Sequence, residues 1–174
     1  MRRDQTDLKV SCEHLQNYID AVIENVRRLS RDLSPSILED LGLSSSLKYL
    51  IEEICRNNHM LYTMAMDEID HLFSPEARIN IYRIFQESLT NIVRHAEASR
   101  IDVEIKREND LVTFRLKDDG KGFDLKRARS RSLGKRGLGL TVMHERALMS
   151  EGSLNIRSRK GKGTEITLTI PIQE

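Results

Sequence analysis

Hydrophobic positions at the start of the chain follow a seven-residue repeat. Their spacing alternates between four and three residues, which is typical of a helix that buries one stripe against partner helices; the positions are Leu8, Cys12, Leu15, Ile19, Val22, Val26, Leu29 and Leu33. A run of this length is also compatible with one core helix of a globular domain. Proline disfavours helix, so we expect the helix to end near Ser34 and Pro35. The pattern predicts a bundle-forming helix over 1–34 and a connector over 35–43.

The remaining chain alternates between helical and strand patterns. Helical spacing predicts helices over 44–56, from Pro75 to about Glu97, and over 139–150 with Gly152 as its C-terminal stop. Period-two alternation predicts strands at 60–66, 101–105, 112–116, from 154 onward and at 166–170. We therefore predict an α+β fold over 44–174. It is a two-layer α/β sandwich with a mixed sheet, one face packed by helices and the other partly polar.

The long helix from Pro75 has an apolar face and a polar face. Its predicted core positions are Ile81, Phe85, Leu89, Ile92 and Val93. Four polar residues occupy another sector that is about 100° wide at helical spacing, namely Glu87, Asn91, Arg94 and His95. A solvated helix face is the ordinary explanation for such a group. The glycine loops that follow favour a binding site instead.

Two glycine loops follow this helix. In the first, Asp118 ends a predicted strand, and Gly120 and Gly122 let the backbone approach a flat ligand closely. In the second, the run Gly137-Leu-Gly139-Leu140 opens a helix, whose free N–H groups can bind phosphate. Either loop alone could be an ordinary turn or helix start. Together with the polar helix face they indicate a nucleotide site.

The segment between the loops is basic and poor in apolar residues. Residues 126–136 cannot pack a core, and we interpret them as a mobile lid over phosphates, or as a disordered surface loop when ligand is absent. The chain contains neither the G-x-x-x-x-G-K-[ST] nor the G-x-G-x-x-G fingerprint. The run Gly161-Lys-Gly163-Thr164 lies between two strand patterns, so we expect a hairpin turn there.

Charge and composition narrow the function classes. The 174 residues include 28 Lys+Arg and 27 Asp+Glu, a formal charge of +1, so no long-range field favours nucleic acid or a membrane surface. No apolar run reaches membrane-spanning length, and the N-terminus has no apolar core of a signal peptide. We expect a soluble, cytoplasmic segment without membrane contact. Its parent protein could still be membrane-anchored.

Three fragments, Q86-E-S-L-T-N-I-V-R-H95, D118-D-G-K-G122 and G134-K-R-G-L-G-L140, resemble the N, G1 and G2 boxes of two-component sensor histidine kinases. Their ATP-binding domain belongs to the GHKL superfamily, which includes gyrase, mismatch-repair ATPases and the heat-shock chaperone ATPase. Residues 26–43 and 82–91 resemble the subfamily whose partners are response regulators with DNA-binding, helix-turn-helix output. The resemblance covers nearly the whole chain.

The resemblance implies a role for each matched residue. Asn91 would bind the Mg²⁺ that bridges the ATP phosphates, Arg94 and His95 would contact phosphate, and Glu87 would be the polarising carboxylate near the γ-phosphate. Asp118 resembles the aspartate that accepts a hydrogen bond from the adenine amino group. The other matched positions would shape the adenine pocket (Gly120 and Gly122), frame the triphosphate (Gly137, Gly139 and Leu140) and reach adenine through a hydroxyl (Thr164). Lysine is common in the family where this chain has Arg94.

The phosphate-accepting histidine of the family is not matched in this chain. It lies on the first helix of a helical hairpin, whereas residues 1–34 resemble the second, which would form a homodimer in the parent protein. His14 is followed by Leu15 rather than an acidic residue and lies too close to Pro35 to match. We therefore expect a fragment that binds Mg-ATP but labels itself poorly or not at all. Alternatives are an anti-sigma-type serine kinase with the same fold and a non-catalytic dimerisation scaffold.

Overall fold

A computed structural model describes residues 36–125 and 138–172. The chain divides into two compact units, 1–40 and 41–174, and the sheet lies in the second. Several predictions fall outside the described residues: the bundle-forming helix over 1–34, His14, the lid over 126–136 and Gly137.

A five-stranded sheet forms one layer of the fold, with the strand order β1-β2-β3-β5-β4. The strands are β1 (Leu61–Met66), β2 (Arg100–Glu108), β3 (Leu111–Asp118), β4 (Ser153–Ser158) and β5 (Thr164–Pro171). β1 pairs with β2 in parallel, and the other neighbours are antiparallel. The predicted mixed sheet is confirmed.

The helices are α1 (Ser36–Asn57), α2 (Pro75–Asn91) and α3 (Leu138–Met149). The second layer consists of α2, α3 and the part of α1 that belongs to the second unit. Alternate residues of the inner strands are buried beneath them, which explains the period-two pattern in the sequence. Phe114 of β3 is fully buried, and its ring centroid lies 6.0 Å from that of Phe85 on α2. α2 and α3 pack together, and the buried hydroxyl of Ser88 lies 3.3 Å from the sulfur of Met143.

The opposite face of the sheet is polar, as the sequence predicts. Arg115 on β3 contacts Glu165 on β5 at 2.6 Å, and Thr63 on β1 donates a hydrogen bond of 2.5 Å to Asp102 on β2. These exposed pairs contribute little to stability individually. The helix-covered face therefore supplies the core that holds the loops at the strand ends.

The start of α1 differs from the sequence expectation. The segment 36–41, predicted to be part of a connector, is helical, and the helix is interrupted at Gly42 with φ 77° and ψ 175°. The helix resumes beyond this break, where Asp70 accepts a hydrogen bond from the Ser44 N–H at 2.7 Å. This carboxylate caps the second part of α1 from outside the helix, a distant partner that local sequence patterns do not reveal.

The helix from Pro75 begins and ends where the sequence predicts, but its last turn is not α-helical. Ser74 caps the helix by accepting from Ala77 N–H, and Pro75 occupies its first turn. After Asn91 the backbone widens into a π-helical turn, Ile92–Ala96, which ends at Glu97 in the left-handed conformation. Because the angular step changes there, Val93 is 41% exposed and does not belong to the core. The prediction for Val93 was wrong.

The end of α3 also needs a correction. The left-handed residue after the helix is Glu151, with φ 55°, and not Gly152. The Gly152 N–H bonds to the Ala147 carbonyl at 2.8 Å, which completes a Schellman motif. Gly152 is required for space, because a Cβ there would lie 2.6 Å from the Thr169 carbonyl oxygen. Among the described helices, none is long and apolar enough to span a membrane.

Candidate functional site

Asp118 is the last residue of β3 and lies almost completely buried, with 2% of its surface exposed. The Gly120 N–H donates a hydrogen bond of 2.8 Å to its Oδ1 atom, so the turn after the strand fixes the orientation of the carboxylate. On one side, Ile101 of β2 pairs with Asp118 in register. On the other side, Lys117 of β3 pairs with Glu165 of β5. Thr164, the first residue of β5, precedes Glu165 and therefore lies beside Asp118 in this antiparallel pair.

Burial raises the pKa of the Asp118 carboxyl above its ordinary value, and the neighbouring charge of Asp119 acts in the same direction. Hydrogen bonds from the Gly120 N–H and from the amide and hydroxyl of Thr164 lower the pKa and partly offset this effect. A carboxylate with few water contacts and fixed donors is a selective hydrogen-bond acceptor.

Glycines allow the loop after Asp118 to pack closely against its neighbours. A Cβ at Gly120 would overlap the Ala96 carbonyl at the end of the π-helical turn, and one at Gly122, which has φ +56°, would overlap the Arg159 carbonyl. The backbone is also tied on both sides, because Lys121 donates to the Ala96 carbonyl and accepts from the Gly161 N–H, each at 2.7 Å. The loop is thus fixed between the end of α2 and the β4–β5 hairpin.

The β4–β5 hairpin contributes a residue that the sequence analysis interpreted only as part of a turn. Gly163 has φ +71°, and a Cβ on it would overlap the carbonyl oxygen of Asp118. The predicted hairpin turn over 161–164 is confirmed, since β4 pairs with β5 on either side of it. Its second glycine also brings Thr164 next to Asp118, so the turn is part of the site.

Asp119 anchors the same loop from the exposed side. Its carboxylate accepts hydrogen bonds from the Ser99 N–H at 2.8 Å, the Ser99 hydroxyl at 2.6 Å and the Arg100 N–H at 2.9 Å. These donors, the Ser99 hydroxyl foremost, lower the pKa of Asp119. The two neighbouring carboxyls therefore have pKa values shifted in opposite directions. The sequence pair Asp118-Asp119 does not by itself indicate that the two pKa values shift in opposite directions.

Glu87 and Asn91 form the other end of the candidate site and are half-buried on α2. The Asn91 amide nitrogen donates to Glu87 Oε1 at 3.0 Å, which leaves the amide oxygen of Asn91 available to a ligand. Gly139, in the first turn of α3, lies directly against Glu87, and a Cβ there would overlap Oε1. The fold therefore brings the polar face of α2 next to Gly139 of the second glycine loop.

Arg94 and His95 lie on the π-helical turn, and both side chains are exposed. The common sector predicted for them with Glu87 and Asn91 assumed a regular α-helix, which ends at Asn91. The structure thus joins Glu87 to Asn91 directly, whereas Arg94 and His95 are exposed on the π-helical turn. Leu140 lies half-buried in the first turn of α3.

A nucleoside triphosphate with a magnesium ion fits the donor set of this site. The described residues contain no cluster of three or more His, Cys, Asp or Glu side chains that could hold a metal. Mg²⁺ at nucleotide sites needs only one or two protein ligands, because phosphate oxygens and waters supply the rest. The available amide oxygen of Asn91 and the adjacent Glu87 meet that requirement.

Known proteins share a domain and a fold with this chain. Residues 76–174 match the family described as histidine kinase-, DNA gyrase B- and HSP90-like ATPase. The chain is 31% identical over 172 residues to the sensor histidine kinase MctS of Rhizobium johnstonii, covering 98% of this chain and 36% of that protein. The chain therefore spans about a third of the length of this relative.

Solved structures share the fold at low sequence identity. The histidine kinase domain of the blue-light activated histidine kinase from Erythrobacter litoralis EL346 superposes with a TM-score of 0.64 at 19% identity, covering 75% of this chain and 61% of that one. The histidine kinase AdeS of Acinetobacter baumannii gives a TM-score of 0.60 at 16% identity, covering 87% and 81% of the respective chains. These likenesses establish the α+β fold.

Proposed function

Because the chain belongs to the family of histidine kinase-, DNA gyrase B- and HSP90-like ATPases, we propose that it is the ATP-binding catalytic part of a sensor histidine kinase. The observation that carries the proposal is the buried carboxylate of Asp118, held as an acceptor by the Gly120 N–H. The exocyclic amino group of adenine is a donor that matches this acceptor, whereas guanine presents a carbonyl oxygen at the same place.

The phosphates would lie between α2 and the first turn of α3. Gly139 brings the backbone of α3 close to Glu87, and a helix N-terminus favours anionic groups there. Asn91 would hold Mg²⁺ through its amide oxygen, and the exposed cation of Arg94, with His95, would contact phosphate oxygens. Thr164, beside Asp118, would contribute its hydroxyl to adenine binding. Magnesium, when bound, would neutralise charge that develops on the phosphates during transfer.

In the proposed reaction an imidazole nitrogen of the acceptor histidine attacks the γ-phosphorus, and the bond to the bridging oxygen breaks to release ADP. Glu87 would polarise the attacking imidazole through its N–H. The phosphoryl group then passes to an aspartate of a response regulator. We assign no acceptor role to the histidines in the described residues (His59, His71, His95 and His144), and His14 does not match the family pattern. The acceptor would be supplied by another polypeptide segment.

The proposed partners are a second copy of the parent protein, through residues 1–34, and a response regulator with DNA-binding output. The heptad pattern supports the first, and the resemblance of 26–43 and 82–91 to the corresponding subfamily supports the second. The near-neutral charge gives no support for direct nucleic-acid binding.

A phosphotransfer assay tests this function. The chain is incubated with γ-labelled ATP and Mg²⁺, alone and with a separately produced helical hairpin that carries the acceptor histidine of a family member. We expect acid-labile, alkali-stable label on the hairpin and none on the chain. Glu87→Gln should reduce the rate at least about a hundredfold, while ATP affinity stays within about threefold of the wild type.

Two outcomes would contradict the proposal. Acid-stable label on a serine would indicate the serine-kinase alternative, and an unchanged rate in Glu87→Gln would remove the role given to that carboxylate. The matched control is Glu145→Gln, which changes an exposed carboxylate on α3 and should leave the rate unchanged.

A further inference from the structure

The Gly120 N–H, which donates to the Asp118 carboxylate at 2.8 Å, lies between two anchored neighbours. On one side, Lys121 donates its backbone N–H to the Ala96 carbonyl at 2.7 Å. On the other side, Asp119 is bound by residues around the start of β2. Both anchors lie on the segment that leads from the end of the π-helical turn into β2. The position of the Gly120 donor therefore depends on how firmly the loop is tied to that segment.

The anchor at Asp119 consists of three hydrogen bonds to one carboxylate. The Ser99 N–H donates at 2.8 Å, the Arg100 N–H at 2.9 Å and the Ser99 hydroxyl at 2.6 Å. The direction of each bond is fixed, because an ionised carboxylate has no proton to donate. Two of the donors are backbone groups. The Ser99 hydroxyl is therefore the one donor among these three that a substitution can remove without altering the backbone.

These bonds extend the pairing of β2 with β3 beyond the last residue of β3. The last pair within the sheet joins Asp118 to β2, and the Asp119 N–H then donates to the Arg100 carbonyl at 3.2 Å. The Asp119 side chain adds the bonds from Ser99 to this pairing. Strand ends with few such bonds open locally. The contact with Ser99 therefore limits the movement of the backbone that presents the Gly120 N–H.

We propose that Ser99 is a positioning residue for base recognition, whose hydroxyl acts through Asp119 to hold the Gly120 N–H against the Asp118 carboxylate. This inference rests on the proposed ATP site and deepens it. Ser99 itself is not proposed to touch the nucleotide. Without its hydroxyl, Asp119 keeps only backbone donors, so the Gly120 N–H can shift and Asp118 no longer presents one orientation to an exocyclic amino group.

The effect should depend on the amino group of the base. Calorimetry would compare ATP with purine riboside triphosphate, which has the same sugar and phosphates but lacks that group. For Ser99→Ala we expect ATP affinity to fall about three- to fivefold, less than for a direct contact because Ser99 acts through its neighbours. Affinity for purine riboside triphosphate should change by less than about 1.5-fold. Ser99→Thr, which keeps a hydroxyl, should bind ATP like the wild type.

A double-mutant cycle separates this role from a purely structural one. In an Asp118→Asn background, Ser99→Ala should change ATP affinity by less than about 1.5-fold, because the carboxylate through which Ser99 acts is absent. A general loosening of the loop would instead weaken binding in both backgrounds. The matched control is Ser153→Ala, which changes an exposed serine at the start of β4 and should leave ATP affinity unchanged.

Three outcomes would overturn the inference while leaving the proposed function intact. They are equal losses for ATP and purine riboside triphosphate, a loss in Ser99→Ala that persists in full in the Asp118→Asn background, and unchanged ATP affinity in Ser99→Ala. Failure of the wild type to bind ATP would instead contradict the proposed function.

Discussion

The two ends of the candidate nucleotide site are built differently. At the base end, Asp118 is buried, and glycines and backbone hydrogen bonds fix its loop between α2 and the β4–β5 hairpin. At the phosphate end, Glu87 and Asn91 are half-buried, and Arg94 and His95 are exposed on a π-helical turn. One end is shaped before a ligand arrives, and the other presents charges in solvent.

The proposed function gives a reason for this difference. Distinguishing adenine from guanine requires one acceptor held in one orientation, and unpaired polar groups in a dry pocket penalise the wrong base strongly. Phosphate and Mg²⁺ carry large charges that attract partners over several ångströms. Exposed cations can therefore bind at that end without being held in one orientation.

The largest expected effect concerns the two glycines of the hairpin, which share φ +71° but differ in their surroundings. A Cβ at Gly161 meets nothing within 4 Å, whereas one at Gly163 overlaps the Asp118 carbonyl. We expect Gly161→Ala to cost about 1 kcal/mol from backbone conformation alone. Gly163→Ala should cost about 3 kcal/mol or more and abolish ATP binding. Urea unfolding measures both, and equal costs would mean that the base end is not tightly packed.

The second-largest expected effect distinguishes the neighbouring carboxyls of Asp118 and Asp119. Asp118→Asn should weaken ATP binding at least about tenfold, because the acceptor to the amino group loses its charge. It should also raise the melting temperature of the ligand-free protein by a few degrees, on the order of the shift for 1 kcal/mol. The pKa of Asp118 is raised in the folded state. Its ionised form therefore opposes folding at neutral pH, and stability falls as pH rises between the ordinary and the raised pKa.

Asp119→Asn is the matched control, and we expect it to change the melting temperature in the opposite direction to Asp118→Asn. The pKa of Asp119 is lowered in the folded state. The ionised Asp119 carboxylate therefore stabilises the fold at pH values above its ordinary pKa, and this stabilisation is lost as pH falls through the lowered pKa. We expect a lower melting temperature and a smaller loss of ATP affinity. If both variants changed melting temperature in the same direction, the opposite environments assigned to the two carboxyls would be wrong.

The smallest expected effect is at the phosphate end. Arg94→Ala should weaken ATP binding only two- to threefold at low salt, as is typical of an exposed charge contact, and the difference should disappear at high salt. Arg94→Lys should bind like the wild type. A loss of more than about tenfold that persists at high salt would show that the phosphate end is held as rigidly as the base end.

The sequence predicts the sheet and the helix cores well because they depend on local periodicity. The strands, the Ser74 cap and the buried positions Ile81, Phe85 and Leu89 all agree with it. The misplaced features depend on distant partners or backbone irregularity. Asp70 caps α1 from outside the helix, and the π-helical turn changes the direction of Val93. Neither leaves a periodic signal.

The candidate site shows the same difference between residues that a local motif reveals and residues that only the fold brings together. Asp118, Gly120 and Gly122 could be named from a motif, as could Glu87 and Asn91, but motif spacing contains nothing about what supports them. Ser158 is joined to Thr164 only by cross-strand register, and Gly163 approaches Asp118 only because β5 lies beside β3. These positions could have been found by pairing the predicted strands of the hairpin and asking which side chains face each other.

The most direct test of the account is a calorimetric titration of the chain with ATP, with and without Mg²⁺, and with GTP in parallel. The account predicts saturable binding of ATP that strengthens with Mg²⁺, and GTP binding weaker by at least about tenfold, because the Asp118 carboxylate meets a carbonyl oxygen in place of an amino donor. Absence of saturable ATP binding, or equal affinity for ATP and GTP, would contradict the claim that Asp118 is the base-reading group of a nucleotide site.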